Sequence, residues 1–162
     1  MKTLYIVRHG KAQPRAEGIK DLDRALIPTG IERTRKTALW LKKIGIKPNM
    51  VLCSDALRCR ETATILMANL LLPKSVQKIS SELYLAEQKS LLAIVQKQDD
   101  GLDSIMLVAH DPGLCDLFNE ASAMSLDKLP TSSVAGIVFQ VDSWKEIDSK
   151  ASEVVFLYSD KH

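Results

Sequence analysis

The segment Ser104–Ala109, SIMLVA, is apolar at successive positions rather than at every second one. A strand with one wet face alternates apolar and polar residues, so a continuous apolar run calls for cover on both faces. Helical crossovers provide that cover, and they join strands that run parallel. The rest of the chain supplies the parts. Strand-like runs occur at Thr3–Val7, Met50–Cys53, Val76–Ser80, Ser133–Val141 and Ser152–Ser159. Between them, apolar residues recur at helical spacing: Ile31, Thr34, Ala38 and Leu41; Leu57, Ile65 and Leu66, on to about Leu70; then Leu83–Val95 and Leu114–Ala121. Thr29 with Glu32 reads as a capping box and Ser54 as an N-cap. Pro73 closes the second helix, and Pro112 belongs to the first turn of the fourth. This alternation predicts an α/β fold: three layers, α/β/α, around a mostly parallel central sheet. The last two strands, joined by a short region containing Trp144, are candidates for an antiparallel edge. No repeat, linker or low-complexity tract divides the 162 residues, which predicts a single domain over 1–162.

Several function classes fall away. The charge is nearly balanced, 22 basic against 20 acidic side chains for a net +2, so no nucleic-acid or membrane surface is expected. No apolar run is long enough to span a bilayer. The start, MKTLYIVRHG, lacks the pattern of a signal peptide, and a cytoplasmic location is expected. The three cysteines, Cys53, Cys59 and Cys115, form no C-x-x-C pair and are expected to be reduced. Cys53 ends an apolar run and reads as core. Cys59 stands near a helix start but lacks the Gly-rich loop of a cysteine phosphatase. Oligomeric state is left open.

In a parallel α/β sheet, ligands bind beyond the carboxyl ends of the strands. Arg8 and His9 follow the first strand. Ser54, Asp55 and, one turn on, Arg58 follow the second. His110 and Asp111 follow the fourth. The fold would gather two arginines and two of the three histidines at one edge. Such a group needs an anion between its members, and a guanidinium fork matches phosphate oxygens. Neighbouring arginines disfavour the imidazolium, so a histidine there stays neutral and can act as a nucleophile. Gly10 lets backbone approach closely. There is no acidic cluster suited to magnesium and no Walker loop, so neither metal nor cofactor is expected. Phosphoryl transfer through a phosphorylated histidine fits this inventory. A receiver domain would need an acidic pair where Arg8 and His9 stand.

At this point the chain resembles a family. VRHGKA looks like the R-H-G signature of the histidine phosphatase superfamily, which includes phosphoglycerate mutases and acid phosphatases. CSDALRCRETA is similar to its S-P-x-x-R-x-x-Q-T-A block, and LVAHDPGL to its second-histidine block. DLDRALIPTG, and LPTSSVAGIVF with the later Trp144, are similar to segments of the small SixA-type phosphohistidine phosphatases. The resemblance implies that His9 attacks phosphorus, that Arg8 and Arg58 hold phosphoryl oxygens, and that His110 completes the pocket. The implied substrate is a phosphorylated protein bearing phosphohistidine. A small phosphate ester, or phosphate binding without turnover, is the alternative.

Asp55, Glu61 and Asp111 depart from the family pattern, where Pro, Gln and Asn are usual. For a general acid the mutase branch points to Glu82, with Glu87 read as a solvated helix-end carboxylate. The acid phosphatase branch points to Asp111, which reads first as a cap of the helix beginning at Pro112. An imidazole leaving group is easier to expel than an alkoxide, so a phosphohistidine substrate lessens the need for an acid. The loop Ala12–Pro28 is short and the chain has no inserted lid, which suits a protein substrate. Arg60 reads as surface, pointing to a different helix face from Arg58. Arg24, Arg33, Arg35 and Lys36 read as a solvated rim, with Arg24 also placed to attract an acidic partner, Trp40 and Trp144 as packing, and His162 as a frayed end.

Overall fold

Six strands form one sheet: β1 (Lys2–Arg8), β2 (Met50–Ser54), β3 (Gln77–Ser80), β4 (Ser104–Ala109), β5 (Val134–Phe139) and β6 (Ser152–Tyr158). The structure is a computed structural model and describes residues 1–160, so His162 lies outside the described residues. The spatial order is β3-β2-β4-β1-β5-β6. The first four in that order are mutually parallel, while β5 runs antiparallel to both β1 and β6. The antiparallel strand therefore lies one place in from the edge, and β6 covers it.

The double-faced burial expected of β4 is present. Ile105 and Leu107 join Leu4, Ile6 and Leu52 on one face of the sheet, under α3 (Gln88–Gln96) and α4 (Gly113–Ser122). Met106 and Val108 join Val7, Val51 and Cys53 on the other, under α1 (Pro28–Lys43) and α2 (Leu57–Asn69). Each such side chain contributes about 1.5–3 kcal/mol by leaving water. Trp144 is fully buried and donates Nε1–H to Leu102 O (2.8 Å). Trp40 stacks on Tyr158. Both are packing residues, as expected.

Four helix starts differ from expectation. α1 begins at Pro28, which occupies its first position, so Thr29 lies inside the helix and no capping box forms. α2 begins at Leu57 after Ala56, and Ser54 Oγ instead accepts from Ala56 N–H (3.3 Å). The third helix does not start at Leu83. A 3-10 turn over Ser81–Leu83 buries Leu83, Leu85 adopts a positive φ of 51°, and α3 starts only at Gln88. A single residue in the left-handed region ends one helical path before the next can start. Pro112 precedes α4 rather than forming its first turn, and Asp111 Oδ1 accepts from Cys115 N–H (3.2 Å).

The parallel strands end together at one edge of the sheet, with Arg8 opposite Ala109 and Cys53 opposite Val108. The chain beyond β1 is pressed against α1 and α2. Gly10 N–H donates to Thr62 Oγ1 (2.9 Å), and a Cβ on Gly10 would stand 2.8 Å from Thr34 Oγ1. A Cβ on Gly30 would stand 2.2 Å from the Lys11 carbonyl oxygen. Gly30→Ala must therefore push α1 away from the segment that carries His9. We expect it to lower stability by about 1–3 kcal/mol in urea unfolding, as overpacked sites do. A change below about 0.5 kcal/mol, an ordinary surface effect, would show that the contact yields freely.

Candidate active site

The chain at and just beyond the ends of β1 and β4, with the start of α2, lines a cavity of about 300 Å³. Arg8, His9, Lys11, Arg15, Arg24, Arg58, His110, Asp111 and Thr131 are among its lining residues. The structure thus brings together Arg8, His9, Arg58, His110 and Asp111, drawn from three separate stretches of sequence. A larger groove of about 570 Å³ lies between α4 and β6, but its lining contains no histidine or arginine.

Each imidazole is held by a specific network. His9 Nδ1 lies 2.8 Å from the Gly10 carbonyl oxygen, so Nδ1 carries the proton and donates. The other nitrogen, Nε2, carries no proton, and its single lone pair accepts from Arg58 Nε (3.4 Å). His110 has the opposite tautomer. Its Nδ1 faces Arg58 Nη2 (3.3 Å), which can only donate, and its Nε2–H donates to Ser54 Oγ (2.8 Å). These assignments follow from fixed donors and acceptors around the rings. The two rings pack edge to face at 5.3 Å.

Burial, with the charges of Arg58, Arg8 and Arg24 adding to it, pulls the His9 pKa from 6.5 down to about 4. Burial, followed by His9 and Arg58, pulls His110 down to about 3. Both rings are neutral at neutral pH. Arg58 is only 2% exposed. It donates through Nη1 to the Asp21 carbonyl oxygen (2.8 Å) and through Nη2 to Asp21 Oδ2 (3.1 Å). Arg8 Nη1 donates to the Leu129 carbonyl oxygen (2.6 Å) and stands 3.7 Å from Asp111 Oδ2, while its buried Nε has no hydrogen-bond partner.

The carboxylates divide clearly. Asp111 lines the cavity, but Oδ1 accepts from Cys115 N–H and Oδ2 from Leu129 N–H (2.8 Å). Burial raises its pKa against those bonds and the Arg8 charge. Glu82 is exposed in the 3-10 turn after β3 and lines a different cavity, with Lys78 and Lys97. Glu87 is the exposed residue preceding α3. Glu61 Oε1 accepts from Leu26 N–H (2.9 Å) and so ties the loop after β1 to α2. Asp55 is half-buried and is not among the residues lining the cavity that holds His9.

Other expectations are corrected or refined. Arg24 is no rim residue: it lines the cavity, donating to Asp21 Oδ1 (2.9 Å) and to the Gln13 carbonyl oxygen (2.6 Å). Arg33 is half-buried, whereas Arg35, Lys36 and Arg60 are exposed. Cys59 lies 3.5 Å from His110 Nε2, but burial pushes its thiol up to about 12, which removes it as a nucleophile. Asp21, Tyr84, Ser54 as a partner of His110, and Thr62 were not read as site residues. The signal for Asp21 was present in DLDR, an acid three residues before an arginine that it pairs with. Tyr84 carried no comparable signal.

Comparisons with known proteins agree with this geometry. A sequence model described as histidine phosphatase superfamily (branch 1) matches residues 4–100. An uncharacterised protein of Picosynechococcus is 35% identical over 112 residues, 68% of this chain and 67% of that protein. The SixA protein of Agrobacterium tumefaciens superimposes with a TM-score of 0.83 at 22% identity, covering 98% of this chain and 97% of that one. A structure of the protein histidine phosphatase SixA complexed with tungstate superimposes with a TM-score of 0.79 at 25% identity, covering 97% and 96%.

The lowered histidine pKa values have a direct consequence. In the unfolded chain an imidazole takes up a proton below pH 6.5, but in the folded chain His9 does so only near 4 and His110 near 3. Acidification from pH 7 therefore favours the unfolded chain, by on the order of 2 kcal/mol per histidine at pH 5. In an NMR titration the His9 ring protons should show a midpoint near 4. A midpoint near 6.5, the ordinary value, would contradict the buried, arginine-flanked site.

Proposed function

Because the chain belongs to the histidine phosphatase superfamily, and is by that membership a phosphatase, we propose that it works through a phosphohistidine on His9, without a metal, on a phosphohistidine-bearing protein. One observation carries this reading. His9 lines the cavity with Arg8 and Arg58, with Nδ1–H on the Gly10 carbonyl and an unprotonated Nε2 whose lone pair meets only Arg58 Nε, at 3.4 Å. A neutral imidazole so fixed is a nucleophile that needs no further activation.

The steps follow from the contacts. Arg8 and Arg58 hold the phosphoryl oxygens, and their charge offsets that of the entering dianion. Nε2 of His9 attacks phosphorus in line with the leaving group; the Nε2–P bond forms as the bond to the leaving group breaks. The incoming negative charge favours uptake of a solvent proton by His110 at Nδ1, which then donates to a phosphoryl oxygen. Water next attacks phosphorus, releases phosphate and restores His9. Among the described residues, no cluster of three or more His, Cys, Asp or Glu side chains is placed to hold a metal ion.

The substrate class is inferred from the carboxylates. An alkoxide leaving group needs a proton as it departs; an imidazole needs it less. Glu82 lines another cavity, and both oxygens of Asp111 already accept backbone N–H groups. That supports a phosphoramidate such as phosphohistidine. The mouth holds Lys11 and Arg15, both exposed, as a protein substrate allows. The buried cysteines, all free thiols, suit the cytoplasm, and a phosphohistidine substrate suits signal transduction. Among the described residues no helix is long and apolar enough to cross a membrane. One observation favours a second reading, a small-ester phosphatase: the raised pKa of Asp111 would let it act as the acid.

Assays with a phosphohistidine protein and a panel of phosphate monoesters separate the readings. We expect kcat/KM on the protein to exceed the esters by at least about a hundredfold, equivalent to ~2.7 kcal/mol. Asp111→Asn should cost less than about tenfold, and His9→Ala at least on the order of a thousandfold. A preference for the esters, with Asp111→Asn abolishing turnover, would establish the second reading instead.

A further inference from the structure

Asp21 has no role in the steps above, yet the contacts of the site converge on it. Its carbonyl oxygen and Oδ2 accept from Nη1 and Nη2 of Arg58. The Tyr84 hydroxyl donates to the same Oδ2. Arg24 Nε donates to Oδ1 (2.9 Å), and Arg15 Nε stands 3.7 Å from it. The ring of Tyr84 packs edge to face on His110 (5.4 Å) and lies 6.0 Å from the Arg58 guanidinium carbon.

A guanidinium is planar, and its donors are arranged in forks of fixed direction. Asp21 occupies the Nη1 and Nη2 fork of Arg58. That leaves the Nε and Nη2 edge turned toward His9 Nε2 (3.4 Å) and His110 Nδ1 (3.3 Å). This edge borders the point where Nε2 would meet phosphorus. We infer that Asp21, steadied by Tyr84, is a positioning residue for phosphoryl transfer: by holding the outer fork of Arg58, it aims the inner edge at the group in flight. This rests on the phosphotransfer reading above.

The inference separates two kinds of binding. A tetrahedral phosphate can be attracted by a cation in many orientations. A phosphoryl group in flight spreads its three equatorial oxygens in a plane and needs donors at fixed positions. Releasing the clamp leaves the charge of Arg58 in place but frees its direction. Asp21 also opposes any bound anion, so removing its carboxylate offsets part of the loss in phosphate binding. The transition state should suffer and the ground state should not.

The test uses the full chain with Asp21→Asn and with Tyr84→Phe, which spares the carboxylate and remains informative should the first variant fold poorly. Orthovanadate, which adopts the five-coordinate geometry of transfer, and inorganic phosphate are titrated calorimetrically. We expect vanadate affinity to fall tenfold or more in Asp21→Asn and threefold or more in Tyr84→Phe. Phosphate affinity should stay within threefold in both. An unchanged vanadate-to-phosphate ratio in both variants would overturn the inference, whether both affinities hold or both fall, since a latch that merely closes the loop weakens the two alike. Wild-type protein that binds vanadate no tighter than phosphate would count against the phosphotransfer reading itself. A wild type that prefers vanadate, with variants that keep its ratio, would count against Asp21 alone.

Discussion

A guanidinium that is 2% exposed, placed against two imidazoles, has to be neutralised, and much of the local structure follows from that requirement. Leaving such a charge unpaired costs several kcal/mol. Asp21 supplies the counter-charge for Arg58. Hydrogen bonding from Tyr84, with Arg58 and Arg24 reinforcing it, holds the Asp21 carboxyl far below the usual carboxylate range. To reach Arg58, the chain after β1 must fold back across the sheet edge. Gly10 and Gly30 permit that approach, where a Cβ would collide with Thr34 or with the Lys11 carbonyl.

The same requirement sets the state of the histidines. Burial, with the charges of Arg58 and Arg8 adding to it, keeps either ring from taking up a second proton at neutral pH. Gly10 and Ser54 then fix which nitrogen is bare on each ring. The pocket lining keeps an excess of positive charge that Asp21 and Asp111 do not cancel, which in the proposed reading a phosphoryl dianion completes. In the proposed reading, binding and activation of the nucleophile share one origin, a buried cation offset by Asp21 on its outer side and turned to the two imidazoles on its inner side.

Much of this was legible in the sequence because it depends on short-range pattern and topology. SIMLVA announced a sheet covered on both faces, and β4 does contribute Ile105 and Leu107 to one core and Met106 and Val108 to the other. Parallel topology then placed Arg8, His9, Arg58 and His110 at one edge, and the structure brings them together. What escaped depends on contacts between distant segments. Ser54 looked like a helix cap and is the partner of His110, since α2 starts three residues later, at Leu57. Glu82 had the expected position after β3, but the 3-10 turn that buries Leu83 sends Glu82 outward, while Tyr84 contacts Asp21 and His110. Arg24 was read as a solvated cation although DLDR places its partner three residues away, because only the folded loop shows that the pair lines the cavity.

The account stands or falls on which atom becomes phosphorylated. Rapid acid-free quenching during turnover, followed by phosphorus NMR and peptide mapping, would identify the linkage. The network around His9 predicts a single phosphohistidine, on His9 and at Nε2, because Nδ1–H is engaged by the Gly10 carbonyl. Phosphate on Nδ1, on His110, or on no histidine at all would contradict it.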